Sequence, residues 1–162
     1  MKKLCLLIGL ILLLAGCAAE ETFETLGNVQ LSGDEIAQRE ILLELPEDAS
    51  VRVIADNGGR IYFCNGYEIA VEVMSSGSIG ATVQTMTGYS AEKLTVITTN
   101  QADLTKHECV WTCAGENGEQ VGRLVILDDG KHHYCLSLTT SEKEAGSLAS
   151  CWKELCDSFD IE

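Results

Sequence analysis

Positive charge and proline are both scarce in this chain. Eleven Lys and Arg stand against 25 Asp and Glu, a formal net charge of −14 over 162 residues. Nucleic acid needs phosphate neutralisation by basic side chains, so the balance excludes that class of partner. It also excludes lying flat on anionic lipid, which attracts basic segments. The excess of carboxylates serves solubility first, and a cationic ligand or partner second. Pro46 is the single proline. No internal repeat and no low-complexity tract occurs. No apolar run approaches the roughly 20 residues that a membrane span takes. Motifs are missing too: there is no Walker loop, GxSxG, HExxH or EF-hand pattern. No Cys-x-x-Cys occurs, which leaves a zinc ribbon or a thioredoxin-like site without support.

The N-terminus carries the first positive signal. Lys2 and Lys3 precede an apolar run over residues 4–14. Its charge, length and flanks are those of a secretory signal peptide. It ends in Leu14-Ala15-Gly16-Cys17. That sequence resembles the bacterial lipobox, whose cysteine receives a diacylglyceryl group and becomes the first residue after cleavage. Small residues before the cysteine let the backbone enter the peptidase, and the thiol is the nucleophile. The resemblance implies that residues 1–16 are removed and that Cys17 is the lipid attachment site. Palmitate and related acyl chains then hold the protein on the extracytoplasmic face of the cell membrane, since stable anchoring takes more than one chain. Residues 17–34 contain Glu20, Glu21 and Glu24 without sustained periodicity. They read as a flexible acidic linker reaching about 20–25 Å. Residues 35–162 remain as one globular domain.

Within that domain, residues 40–45 and 51–55 are short β-prone runs separated by a turn at Leu45-Pro46-Glu47-Asp48. Asn57-Gly58-Gly59 marks another turn, and Asn65-Gly66 a two-residue hairpin. In the following run Ile69, Val71 and Val73 share one face, with Glu68 and Glu72 on the other. Residues 78–87 read as a helix, capped by Ser78 and stopped by Gly88. Ile79, Val83 and Met86 form its apolar face. A strand is expected over residues 94–98. Residues 106–114, 120–127 and 132–139 read as a three-strand meander with turns at Asn117-Gly118 and Asp129-Gly130. A closing helix is expected over residues 141–158, with a Ser141/Glu144 capping box. Its stripe is Leu148, Cys151, Trp152, Leu155 and Phe159. The order of elements gives an α+β fold, a largely antiparallel sheet with helices on its faces.

Two-residue loops set the meander's register. Cys109 is then expected opposite Ile126, Trp111 opposite Leu124, Cys113 opposite Gly122, and Leu124 opposite Cys135. Cys109, Trp111, Cys113, Leu124, Ile126, Cys135, His133 and Ser137 fall on one face, expected to be core under a helix. The helix leading into Thr87-Gly88-Tyr89-Ser90, the meander ending in His133-Tyr134-Cys135-Leu136-Ser137, and the closing helix with Trp152 and Ser158-Phe159 are similar to the PsbP-like α/β/α domain. Such domains occur in small exported bacterial lipoproteins. The resemblance spans roughly residues 40–162. It implies a sheet with helices on both sides, and carries over no catalytic residue.

Six cysteines lie in the domain: Cys64, Cys109, Cys113, Cys135, Cys151 and Cys156. Export and the even number favour disulfides. Cys109 and Cys113 are about 13 Å apart along a strand, so they cannot bond each other. Cys151 and Cys156 point about 140° apart on a helix. Any bridge must therefore join different elements. The alternative is six buried free thiols packed as small hydrophobes.

Few residues offer chemistry. His132 and His133 are adjacent and point to opposite faces of a strand, so they cannot hold one metal together. Cys135 and His133 share a face and offer a nucleophilic pair, but their backbones are nearly 7 Å apart and apolar surroundings raise a thiol pKa. Glu116, Glu119, Asp128 and Asp129 sit near turns, as solvated charges or as an acid and base. Trp111 and Trp152 are core residues or the lining of a groove. No catalytic site, cofactor or metal is expected. The reading is a lipid-anchored, non-catalytic binding or accessory module that meets a protein partner or small ligand at the membrane. The alternatives are a hydrolase or thiol-dependent enzyme on the Cys/His face, and a structural envelope protein.

Overall fold

A computed structural model describes residues 37–54, 58–115 and 118–162. Cys17, the signal peptide and the linker lie outside these residues, as does Glu116. Seven strands form one antiparallel sheet. They are β2 (Ser50–Ile54), β3 (Arg60–Cys64), β4 (Tyr67–Ser75), β5 (Ile97–Asn100), β6 (Thr105–Gly115), β7 (Gly118–Asp128) and β8 (His132–Ser141). Their spatial order is β2-β3-β4-β8-β7-β6-β5. A separate two-stranded ribbon joins β1 (Ile41–Leu42) to β9 (Asp160–Ile161). Helix α1 (Ile79–Thr87) follows β4, and a 3-10 turn, Ala91–Lys93, follows α1. After β8 come α2 (Glu142–Ala145) and α3 (Ala149–Ser158).

The alternation in β4 works as its sequence requires. Tyr67, Ile69, Val71 and Val73 are buried while Glu68 is exposed. They join Leu136, Leu138, Val125 and Leu127 in a core closed by Trp152, Leu155, Cys156 and Phe159 from α3 and its end. On the other face, Val83 of α1 packs on Cys109, Trp111, Leu124, Ile126 and Cys135. The sheet is thus covered on both sides. The second cluster is the face expected under a helix, with His133 and Ser137 also buried, but Cys113 is only half-buried and lies outside the cluster. Strand β8 is sandwiched between the two cores: its residues from His132 to Leu138 are all buried.

Both meander registers differ from expectation by two residues. Cys109 pairs with Leu124, Trp111 with Gly122 and Cys113 with Gln120. In the next hairpin Leu124 pairs with Ser137 and Ile126 with Cys135. In the first hairpin the ladder runs to Gly115 opposite Gly118. The displacement places the Trp111 ring over Gly122, where a side chain opposite would collide with it. In the second, the Asp129 carboxylate takes the Lys131 and His132 N–H groups, which widens the loop beyond Asp129-Gly130. A shift of two preserves side-chain direction, so the face assignment survives.

Other boundaries moved. Strand β5 starts at Ile97, because residues 91–93 form a 3-10 turn first. Ser141 belongs to β8, paired with Gln120, and its side chain makes no cap bond. The expected single closing helix is therefore one turn, a break over residues 146–148, and α3. Helix α1 does begin after Ser78 and end at a left-handed Gly88 (φ 77°), although the Ser78 side chain makes no cap bond. The Asn65-Gly66 hairpin is as expected, with Cys64 opposite Tyr67 and Gly66 at φ 90°.

Candidate functional site

Of the polar residues singled out in the sequence, Asp128, Asp129, His132 and His133 gather at one end of the sheet around the β7–β8 loop, while Glu119 lies at the other end of β7. Asp128 Oδ1 accepts the Gly130 N–H at 2.7 Å. Asp129 Oδ1 accepts the N–H groups of Lys131 and His132 at 2.8 and 2.7 Å. These are loop-building bonds of the kind Asp makes in turns.

Beneath α1, Thr82 Oγ1 lies 2.7 Å from His133 Nδ1. Nε2 of the same ring lies 3.6 Å from Asp128 Oδ2. Thr82 and His133 are 6% and 1% exposed, so the hydroxyl faces no solvent. A hydroxyl, an imidazole and a carboxylate in this order are the residue types of a hydrolytic triad. Here the carboxylate is beyond ordinary hydrogen-bond length, and the hydroxyl is sealed between helix and sheet. The arrangement pins α1 to β8 and satisfies two buried polar groups. Farther along the same face, Thr98 Oγ1 lies 3.0 Å from His107 Nδ1. Burial pushes the His107 pKa down, opposed by the Asp128 charge.

The opposite face of the loop is tied to the N-terminal segment. The Tyr134 hydroxyl accepts the Arg39 N–H at 2.8 Å and donates to Asp129 Oδ2 at 3.2 Å. Arg39 reaches on to Asp103 and to the Ile161 carbonyl. Burial raises the Tyr134 pKa to about 12. His132 stacks edge-on to Tyr134, with ring centroids 6.0 Å apart. Burial pushes the Asp129 carboxyl up, but the His132 and Lys131 N–H groups and the Tyr134 hydroxyl outweigh it and hold the pKa below 3.8. A depressed folded-state pKa means stability that is full above the unfolded value and lost as pH falls through the folded one. Asp129→Asn is expected to lower stability at neutral pH and to shrink the loss of stability between about pH 4 and 2. Urea midpoints measured across that range check it, and an unchanged acid limb contradicts it.

The Cys135–His133 pair is not assembled. Cys135 is fully buried, its thiol donates to the His133 carbonyl at 3.7 Å, and burial pushes its pKa far up. The imidazole is committed to Thr82 instead. His132 and His133 do face opposite sides, one toward Tyr134 and one toward Thr82. Glu119 is exposed on β7. Trp111 and Trp152 are both core residues at 6% exposure. Among the described residues no group of three or more His, Cys, Asp or Glu is placed to hold a metal ion. No described helix is long and apolar enough to cross a membrane.

Sequence reasoning missed Thr82. Its position beside Val83 on the inner side of α1 was the available signal. It also missed a second grouping at the other end of β4. There the Tyr67 hydroxyl lies 3.2 Å from Cys151 Sγ, and Cys64 stands directly opposite Tyr67 in the hairpin.

No family model matches the chain, and no curated protein matches it in sequence. Among the solved structures that share its fold are the following two. One is the solution structure of cyanobacterial PsbP (CyanoP) from Synechocystis sp. PCC 6803. It superposes with a TM-score of 0.58 at 11% identity, over 75% of this chain and 86% of that one. The other is a crystal structure from Bacteroides thetaiotaomicron, with a TM-score of 0.53 at 10% identity over 75% of this chain. This chain spans under half the length of that one, which it covers to 45%. The fold is α+β and PsbP-like: an antiparallel sheet with helices packed on it.

Proposed function

We propose that this PsbP-like domain is a membrane-tethered accessory module on the extracytoplasmic face, acting by binding a partner and not by catalysis. The observation that carries the reading is the buried Thr82–His133 contact, with the partly exposed Asp128 carboxylate 3.6 Å beyond it. Among the described residues, the constellation that most resembles a catalytic one holds α1 to the sheet. Support for the tether comes from Lys2, Lys3, the apolar residues 4–14 and Leu14-Ala15-Gly16-Cys17. The chemistry of that segment calls for a diacylglyceryl group on Cys17. The partner is a protein or small ligand met at the membrane surface, and a net charge of −14 suits one that presents positive charge.

The tether is tested by expressing the full chain and its Cys17→Ala variant in a bacterial host. The wild type is expected in the membrane fraction after carbonate washing, with an intact mass that starts at Cys17 and includes the lipid. The variant is expected to leave that fraction almost completely. A variant that stays with carbonate-washed membranes sinks the lipid anchor. Binding is tested by cross-linking in those membranes. One defined cross-linked product, lost when Cys17→Ala is used, supports the accessory role. A wild type that yields no defined product argues against it.

A further inference from the structure

Cys64 and Cys151 lie 87 positions apart in the chain and come together on either side of Tyr67. Cys64 ends β3, directly opposite Tyr67 across the Asn65-Gly66 hairpin. Cys151 lies in the first turn of α3. Tyr67 reaches from β4 toward the helix, its hydroxyl 3.2 Å from the Cys151 sulfur, with Cys64 its cross-strand neighbour. Both cysteines are free and only half-buried, and both pack at the margin of the α3-side core. Each has its own access to solvent. Cys64 lines an open cleft of about 290 Å³ with Tyr67, Gln120 and Thr140. Cys151 lines a second, of about 260 Å³, with Pro46 and Glu154. Cys109, Cys135 and Cys156 are buried by contrast, and the Cys113 thiol donates weakly to Gln120 Oε1 at 3.9 Å.

We propose that Cys64 and Cys151 are a disulfide-forming pair that, in an oxidising compartment, staples the β3–β4 hairpin to α3. The oxidant is a small-molecule disulfide. One cysteine, as thiolate, attacks it, forming a mixed disulfide and releasing one small thiolate. The second cysteine then attacks the protein sulfur of that mixed disulfide and releases the other. Two S–H bonds and one small-molecule S–S bond are lost. One protein S–S bond is gained, and both protons leave on two small thiols. Closure moves the two sulfurs together past the Tyr67 hydroxyl, which then turns toward the cleft. Burial, with the nearby Asp48 charge, disfavours the Cys64 thiolate even though the Tyr67 hydrogen bond favours it. This chemistry stands whether or not the chain is tethered.

The test uses the full chain in detergent, treated with oxidised glutathione, alkylated and mapped without reduction. A crosslinked peptide pair containing Cys64 and Cys151 is expected. The protein mass falls by two hydrogens, and Cys109, Cys135 and Cys156 are labelled only after unfolding. The oxidised protein is expected to melt higher by about 5 °C, because a long loop is closed in the unfolded chain. Cys64→Ser and Cys151→Ser are each expected to abolish the crosslink and the shift. Full alkylation of Cys64 and Cys151 after oxidation overturns the proposal, as does a stable mixed disulfide with glutathione alone. So does a crosslink that pairs either residue with another cysteine.

Discussion

Gly122→Ala is expected to cost about 2–3 kcal/mol, at the upper end for one methyl group forced into a packed core. A Cβ on Gly122 would stand 2.2 Å from Trp111 Cζ2 and 2.4 Å from Cε2. These are ring atoms of a side chain that is 6% exposed and is held by Leu124, Ile126 and Val83. The ring has no free end to swing away, so either it tilts or β6 and β7 separate. In an ordinary strand, alanine would favour the β conformation over glycine. The expected sign is therefore opposite to what local propensity gives. Denaturant unfolding of the full chain measures it. Trp111→Leu should make Gly122→Ala much cheaper, and the coupling in that double-mutant cycle isolates the contact. A Gly122→Ala protein as stable as wild type would show that the ring does not sit there.

Leu136→Ala is expected to cost more, about 2–5 kcal/mol. Leu136 is 0% exposed in β8, paired with Val71 on one side and Val125 on the other. Truncation there leaves a cavity that the flanking strands cannot fill without breaking their ladders. Val53→Ala on β2 is the control. Val53 is 45% exposed on an outer strand, and its loss is expected within about 0.5 kcal/mol. Equal costs at the two positions would mean that the core is not centred on β8.

The face assignments were legible because strand periodicity is two. Asn117-Gly118 and Asp129-Gly130 each suggested a loop displaced from the observed one, yet Cys109, Trp111, Leu124, Ile126 and Cys135 still share a face. Even shifts are harmless in this sense, and a single-residue slip would have inverted the sheet. The loop positions were not legible, since they depend on where the Trp111 ring rests and on what the Asp129 carboxylate accepts. The break over residues 146–148 was hidden by a helical pattern that continued across it. The Thr82–His133 tie and the Cys64–Tyr67–Cys151 grouping join residues far apart in sequence. They could be found only once α1 and α3 had been laid on opposite faces.

The small β1–β9 ribbon has a topological consequence. Glu40 and Glu162 exchange both backbone hydrogen bonds, each at 2.9 Å. The span between them is nearly a closed ring, interrupted at one point. A cargo fused after residue 162 would emerge beside the segment that leads back to Cys17.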